Sequence, residues 1–204
     1  MEEVDVIIEI AKNGSIKYKY DKERNMLVCD RILHIPYPFN YGFIPNTLSE
    51  DGDPLDVVVL MNADLIPGTM IRCKIVGYLD TSDDAGNDPK LFVCPILDPL
   101  WKNIEDLLSV DSVNLNYTEV PFIHVSNFET YKDICEGSGV NINPEILKRI
   151  KYFFEHYKDL ENKKVEVGSF YNKEKALKIY QDSIERCKSN TIQKSKITDF
   201  FPKV

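Results

Sequence analysis

The chain has 204 residues, with 25 Lys+Arg against 33 Asp+Glu and a formal net charge of −8 at pH 7. A pI near 5.0 argues against a general nucleic-acid binder, and 43% hydrophobic with 11% aromatic residues supplies a core and excludes wholesale disorder. No apolar run approaches the ~18 residues of a membrane span, and the acidic start MEEVDVIIEI lacks the positive charge of a secretory leader, so a cytoplasmic location is expected. The charge is uneven: residues 173–204 carry eight Lys/Arg against four acids, a net of +4, which leaves −12 on residues 1–172. The cysteines at 29, 73, 94, 135 and 187 form no C-x-x-C pair. They indicate neither a zinc site nor a disulfide framework, and Cys29, Cys73 and Cys94 read as core filling in a reducing compartment.

The first hundred residues read as β-branched strands at 4–10, 16–20, 27–31, 57–61, 70–79 and 91–96. Turn residues such as Asn13-Gly14, Asp51-Gly52-Asp53-Pro54 and Pro67-Gly68 separate them, the pattern of a barrel or sandwich. The segment 35–49, with Pro36, Pro38 and Pro45 among Tyr37, Tyr41 and Phe43, reads as an ordered loop clamped by aromatics. Residues 101–109 suit a short helix, 114–128 have strand character and 136–143 look like a loop. Then the period changes. Asn143 can cap and Pro144 can open a helix whose Ile146, Leu147, Ile150, Phe153, Phe154 and Tyr157 share one stripe. A second helix is expected from about Lys173 to Cys187, with Leu177, Tyr180, Ile184 and Cys187 on one face.

Chemistry concentrates at Asp51-Gly52-Asp53-Pro54-Leu55-Asp56, three carboxylates within six residues at the mouth of a strand. Such crowding is costly without a cation, and hard oxygen donors on a tight turn suit Mg²⁺ or Mn²⁺. An isolated Asp-Gly would read as a solvated turn. An EF-hand loop fails, because starting at Asp51 places Leu55 at the fifth position and Asn62 at the twelfth. A second acidic stretch, Asp83-Asp84-Ala85-Gly86-Asn87-Asp88-Pro89-Lys90, doubles the carboxylate supply. Paired metals held by Asp are a phosphoryl-transfer device. Lys17, Arg31, Lys90 and Lys158, with Tyr37, Tyr41 and Tyr157, are candidate phosphate ligands, although Lys and Arg mostly cover surface.

DGDPLD at 51–56, the Tyr37-Pro-Phe-Asn-Tyr41-Gly stretch before it, Pro67-Gly-Thr-Met-Ile-Arg-Cys after it, and Phe153-Phe-Glu-His-Tyr157-Lys158 together resemble a soluble family I inorganic pyrophosphatase. The resemblance spans roughly residues 4–97 and 144–185. It implies a mainly β fold with flanking α (α+β): a closed, OB-like, five-stranded β-barrel core with two main C-terminal helices. It also implies Mg²⁺-dependent hydrolysis of pyrophosphate by a metal-activated water. By position, Asp51, Asp56 and Asp88 match the metal ligands, Asp83 serves further metals, and Glu9 lies at the rim of the cluster. Asp53 matches the general base. Lys17, Arg31, Tyr41, Tyr157 and Lys158 match phosphate-binding groups, with Tyr37 and Lys90 in supporting positions. Two residues depart from the family pattern: Lys19 and Asp84 stand where it has Glu. Family members assemble as dimers or hexamers.

The domain is thus expected to span 1–187. Residues 98–143 form an insertion within it, which could cover an edge, mediate assembly or bind a partner, or be a tolerated surface excursion. Residues 188–204 form a basic, flexible tail. In the tail, Ile197, Phe200 and Phe201 are spaced i, i+3, i+4. The stretch 193–203 resembles the peptide by which replication proteins dock on the DNA sliding clamp, with Gln193 one residue too early. Folding back on the domain or swapping into a neighbour are the competing readings of this tail. For the whole chain, the competing functions are hydrolysis of a larger phosphoanhydride and a non-catalytic binding module.

Overall fold

The computed structural model describes residues 3–21, 23–84, 86–108, 144–161 and 164–200. The β-branched runs form β1 (Glu3–Ile10), β2 (Ile16–Asp21), β3 (Met26–Ile32), β5 (Asp56–Val59), β6 (Met70–Asp83) and β8 (Lys90–Pro95). Between them lie β4 (Asn40–Phe43) and β7 (Gly86–Asn87). Helix α1 (Pro144–His156), β9 (Glu166–Asn172) and helix α2 (Lys173–Phe200) follow.

Strand β1 pairs with β4, β4 with β5, β5 with β8, β8 with β6, and β6 back with β1. Five strands therefore close into a ring of backbone pairing, which removes the exposed edges an open sheet would leave. The β5–β8 pairing is parallel and the others in the ring are antiparallel. All of β8 is buried, as a strand covered on both faces must be. The long β6 also carries β9 on its free side.

Alternation sorts the side chains into two apolar layers. Val57, Val59, Leu91, Val93, Cys73 and Ile75 pack with Val4, Val6 and Ile8, and α2 covers this layer through Ala176, Leu177 and Tyr180. Val58, Leu60, Phe92, Cys94 and Val76 pack against Ile150, Phe153 and Phe154 of α1, with Tyr37, Phe39 and Tyr41 between. The α1 stripe read from the sequence is therefore the packed one. Among the described residues no helix is long and apolar enough to cross a membrane.

Several local expectations change. The clamped loop at 35–49 contains β4, threaded between β1 and β5. A Cβ on Gly42 would fall 2.0 Å from the Ile7 carbonyl oxygen, so only glycine lets these backbones approach. The helix expected at 101–109 is a single 3-10 turn, Trp101–Asn103, held by the Asp98 carboxylate, which accepts the N–H groups of Leu100 and Trp101. Cys73 and Cys94 are buried, but Cys29 is exposed, because β2 and β3 form a separate two-stranded sheet with little cover. Helix α2 runs past Cys187 to Phe200. Residues 109–143, Phe201 and the side chains of Ile197 and Phe200 lie outside the described residues.

Candidate active site

The acidic turn is fixed by its own backbone. The Ser49 N–H donates to the Asp53 carbonyl at 2.7 Å and the Ile44 N–H to the Leu55 carbonyl at 3.0 Å. The Asp53 N–H donates to Asp51 Oδ1 at 3.0 Å. Buried Thr47 ties the two sides together: its hydroxyl accepts the Leu55 N–H at 2.9 Å and donates to the Ile44 carbonyl at 2.5 Å. Gly52 takes φ +94°, which the turn requires and glycine supplies.

Asp56 opens β5 opposite Phe43, and the parallel register setting Val57 beside Leu91 brings Lys90 alongside Asp56. The Lys90 ammonium, 2% exposed, donates to Asp56 Oδ2 at 2.6 Å and also to Asp88 Oδ2. The Tyr41 hydroxyl donates to the same Asp56 oxygen at 2.5 Å. The Asp88 N–H donates to the Thr81 carbonyl, and the Thr81 hydroxyl donates back to the Asp88 carbonyl, which seats Asp88 on β6. On β1, Glu9 pairs with Lys17 of the hairpin at 3.2 Å. Lys158 pairs with Asp83 at 2.8 Å and lies over the Tyr157 ring. The Tyr37 ring stands 5.0 Å from Tyr41, 6.2 Å from Tyr157 and 4.6 Å from Phe153, edge to face.

Burial and crowding set the charges. Burial pushes Asp88 up to about 6; Lys90 opposes this, and Asp56 and Asp51 add repulsion. Burial also raises Asp51, with Asp53 and Asp56 adding repulsion, and it raises Glu9 despite Lys17. Asp56 goes the other way: burial would raise it, but Lys90 and Lys17 together hold it below the usual carboxylate range. Lys90 would be lowered by burial, yet Asp56 and Asp88 keep it firmly protonated. Desolvation holds the Tyr37 and Tyr41 phenols protonated, and raises Tyr157 against the pull of Lys90 and Lys158.

The structure therefore brings Glu9, Lys17, Asp51, Asp53, Asp56, Asp88, Lys90, Tyr37, Tyr41 and Tyr157 into one electrostatic cluster, with Asp83 and Lys158 paired beside it. Arg31 pairs with Asp30 at 3.1 Å, and its charge acts on Tyr37. Among the described residues no three acids converge on one point as a ready metal-ligating group. Lys90 holds the space between Asp56 and Asp88 instead. Lys19 and Asp84 are both exposed. Sequence reasoning missed Asp30, whose charge reaches Glu9, and Glu161, whose charge reaches Arg31. Asp30 sits at the β3 register shift opposite Lys17/Tyr18, which no periodicity announces.

The chain belongs to the inorganic pyrophosphatase family, a family of hydrolases: the family model matches residues 6–188. It is 39% identical over 189 residues to the inorganic pyrophosphatase of Rickettsia bellii, covering 91% of each chain. It is 38% identical over 191 residues to that of Xylella fastidiosa, covering 92% of this chain and 90% of the relative. Among solved structures, the inorganic pyrophosphatase of Helicobacter pylori superposes with a TM-score of 0.72 at 35% identity, covering 92% of this chain and 94% of the other.

Proposed function

We propose that the chain hydrolyses inorganic pyrophosphate to two phosphates with Mg²⁺ as cofactor and Asp53 as general base. The observation that carries this reading is the cluster around Lys90, in which the partly buried carboxylates of Asp51, Asp56 and Asp88 repel one another beside Lys17 and three phenols. The donor chemistry fits a hard divalent cation: all-oxygen, anionic, and short of positive charge, since Asp51 and Asp88 both resist ionising. Asp51, Asp56 and Asp88 would hold the metal, with Asp83 and Glu9 at its rim. Bound Mg²⁺ supplies charge neutralisation at phosphate oxygens and a lowered pKa for water.

The chain's own groups do the rest. Asp53 accepts the proton of the attacking water. Lys17, Arg31 and Lys158 fix the phosphate oxygens, each already positioned by a carboxylate on its own side. Tyr37 and Tyr157, kept protonated, donate hydrogen bonds to the departing phosphate, while Tyr41, whose hydroxyl donates to Asp56, holds that carboxylate in place beside them. Phosphate release from pyrophosphate over a Mg²⁺ titration tests the reading, together with Asp53→Asn, which should lower kcat by roughly 10²–10⁴. Activity without added divalent cation, or an unimpaired Asp53→Asn enzyme, would refute it. Assaying tripolyphosphate and nucleoside triphosphates alongside separates this substrate from a larger phosphoanhydride.

We also propose a cytoplasmic homo-oligomer, dimer or hexamer, with the catalytic domain at 1–187, an insertion at 98–143 and a tail at 188–204. The family match ending at residue 188 supports the tail boundary. The spacing of Ile197, Phe200 and Phe201, at the end of a helical backbone reaching Phe200, supports docking of 193–203 on a sliding clamp. A clamp pull-down with Phe200→Ala/Phe201→Ala tests this; equal recovery would rule out specific docking.

A further inference from the structure

Asn40, the first residue of β4, is fully buried, and its carboxamide ends on backbone groups from two other parts of the chain. Its Oδ1 accepts the N–H of Lys12 and the N–H of Leu65, both at 2.9 Å, and its Nδ2 donates to the Ala63 carbonyl at 2.8 Å. The Lys12 ammonium reaches the same loop, donating to the Asn62 carbonyl at 2.9 Å. Lys12 belongs to the turn between β1 and β2, and residues 62–65 to the loop that follows β5. These bonds end on backbone groups and not on a carboxylate. Without the side chain, each N–H it holds would lose its acceptor.

Backbone bonds carry this joint onward to the hairpin of Lys17. The Asn13 N–H donates to the Tyr37 carbonyl at 2.6 Å, and the Tyr37 N–H to the Gly14 carbonyl at 3.0 Å. The Leu33 N–H donates to the Ser15 carbonyl at 2.8 Å and closes the base of the β2–β3 hairpin. Asn13 takes φ +60°, and a Cβ on Gly14 would fall 2.7 Å from the Ala11 carbonyl oxygen, so the turn has one tight path. On the other side, Tyr41 follows Asn40 directly, and its hydroxyl donates to Asp56. Lys17 and Tyr41 therefore hang from one carboxamide. Because β2 and β3 form a sheet separate from the ring, the place of Lys17 relative to Asp56 rests on this joint and on its ion pair with Glu9 at 3.2 Å. We propose that Asn40 is a positioning residue for pyrophosphate hydrolysis. It sets the separation between Lys17, which takes phosphate, and Tyr41 with Asp56, which face the metal. The proposal rests on the hydrolytic reading given above. Groups that act on one substrate from two sheets need a fixed separation, and a shift of about 1 Å costs on the order of 10²-fold in rate.

The test compares full-length variants that urea unfolding shows to be folded. Asn40→Ala should lower kcat/KM for pyrophosphate about 10²-fold at saturating Mg²⁺. Asn40→Asp keeps both acceptor bonds and, with its proton retained by burial, also donates to Ala63, so it should recover about tenfold or more of that loss. In a double-mutant cycle, Asn40→Ala should cost less than about tenfold once Lys17→Ala is present, because the group it places is gone. Beside Lys158→Ala, whose lysine is held by Asp83 instead, it should cost its full 10²-fold or about that. Amide hydrogen exchange adds a readout free of turnover. Asn40→Ala should speed exchange at Asn13 and Tyr37 about tenfold and leave Val58 and Phe92 of the ring unchanged. Equal losses in the two backgrounds, or exchange that rises throughout the ring, would mark a general structural role and overturn the proposal. If Asn40→Ala does not fold, Asn40→Ser, whose lone hydroxyl cannot serve all the partners, takes its place in every arm. A wild type without hydrolysis refutes the catalytic reading alone, since exchange still reports whether Asn40 holds the turn of Lys17 against β4.

Discussion

Replacing Lys90 with Met tests the electrostatics of the site most directly. Met preserves most of the apolar stem and deletes only the ammonium. That ammonium is 2% exposed and serves both Asp56, at 2.6 Å, and Asp88. Removing one partner of a buried ion pair costs ~3–5 kcal/mol. Here two carboxylates lose their common counter-ion, which points to the upper end. Proton uptake limits the loss, however. Asp88 already sits at about 6 with Lys90 beside it. Without Lys90 it rises further and takes up a proton at neutral pH; protonating it at pH 7.5, a unit or two above its value of about 6 beside Lys90, costs only ~1–3 kcal/mol. The expected loss in EDTA at pH 7.5 is therefore about 3 kcal/mol. At pH 5 Asp88 carries its proton in both proteins, only the Asp56 pair is broken, and the loss shrinks. Saturating Mg²⁺ should return more stability to Lys90→Met than to the wild type, because the cation then faces no resident ammonium; a hundredfold excess over Kd contributes about 2.7 kcal/mol. Urea unfolding followed by circular dichroism at both pH values, with EDTA and with Mg²⁺, reads all of these. A loss below about 1 kcal/mol at pH 7.5, or one that does not change between pH 5 and 7.5, would refute the reasoning.

Further outcomes follow from single contacts. The Asp88 pKa is raised in the fold from 3.8 to about 6, so its contribution to metal-free stability is full below pH 3.8 and lost as pH rises through about 6. That is ~3 kcal/mol at most, and a comparison of unfolding free energies for wild type and Asp88→Asn across pH 4–7 should show the slope vanish in the variant. Gly42→Ala drives a Cβ to 2.0 Å from the Ile7 carbonyl oxygen, and calorimetry should show a loss of about 3 kcal/mol or failure to fold. Thr47→Val strands the buried Leu55 N–H, which now donates to the Thr47 hydroxyl at 2.9 Å. It should cost ~1–3 kcal/mol in denaturant unfolding and reduce hydrolysis by loosening the turn that carries Asp51 and Asp53. Lys19→Glu exchanges an exposed cation on the strand of Lys17 for a carboxylate. The Mg²⁺ concentration for half-maximal hydrolysis should fall about threefold, the scale of one exposed charge, and an unchanged or higher requirement would sink the idea that Lys19 tunes metal binding.

How far the sequence could be read depends on what each signal reports. The strands of the ring announce themselves by alternation, as in Val4, Val6, Ile8 and Ile10, and α1 by its stripe, because both follow from which side faces the core. Strand β4 does not, since its neighbours Pro36, Pro38 and Pro45 are turn residues and its Asn40 and Gly42 are poor strand formers. Only its place between β1 and β5 makes it a strand. β9 carries Gly168 and Ser169 and exists because β6 offers it a partner edge. The same division governs the site. Three acids in six residues reveal a locus of charge, so Asp51, Asp53 and Asp56 are visible as a group. What neutralises them is a matter of register. A lysine in a charged turn reads as surface, and nothing short of the parallel β5–β8 pairing places Lys90 beside Asp56 rather than in water. Residue type names the chemistry, then, while strand pairing decides which carboxylates already hold a cation and which remain short of one. On that basis Asp51 and Asp88, both still raised although Asp88 shares Lys90 with Asp56, are where an added divalent ion would gain more than at Asp56, which Lys90 and Lys17 together hold low.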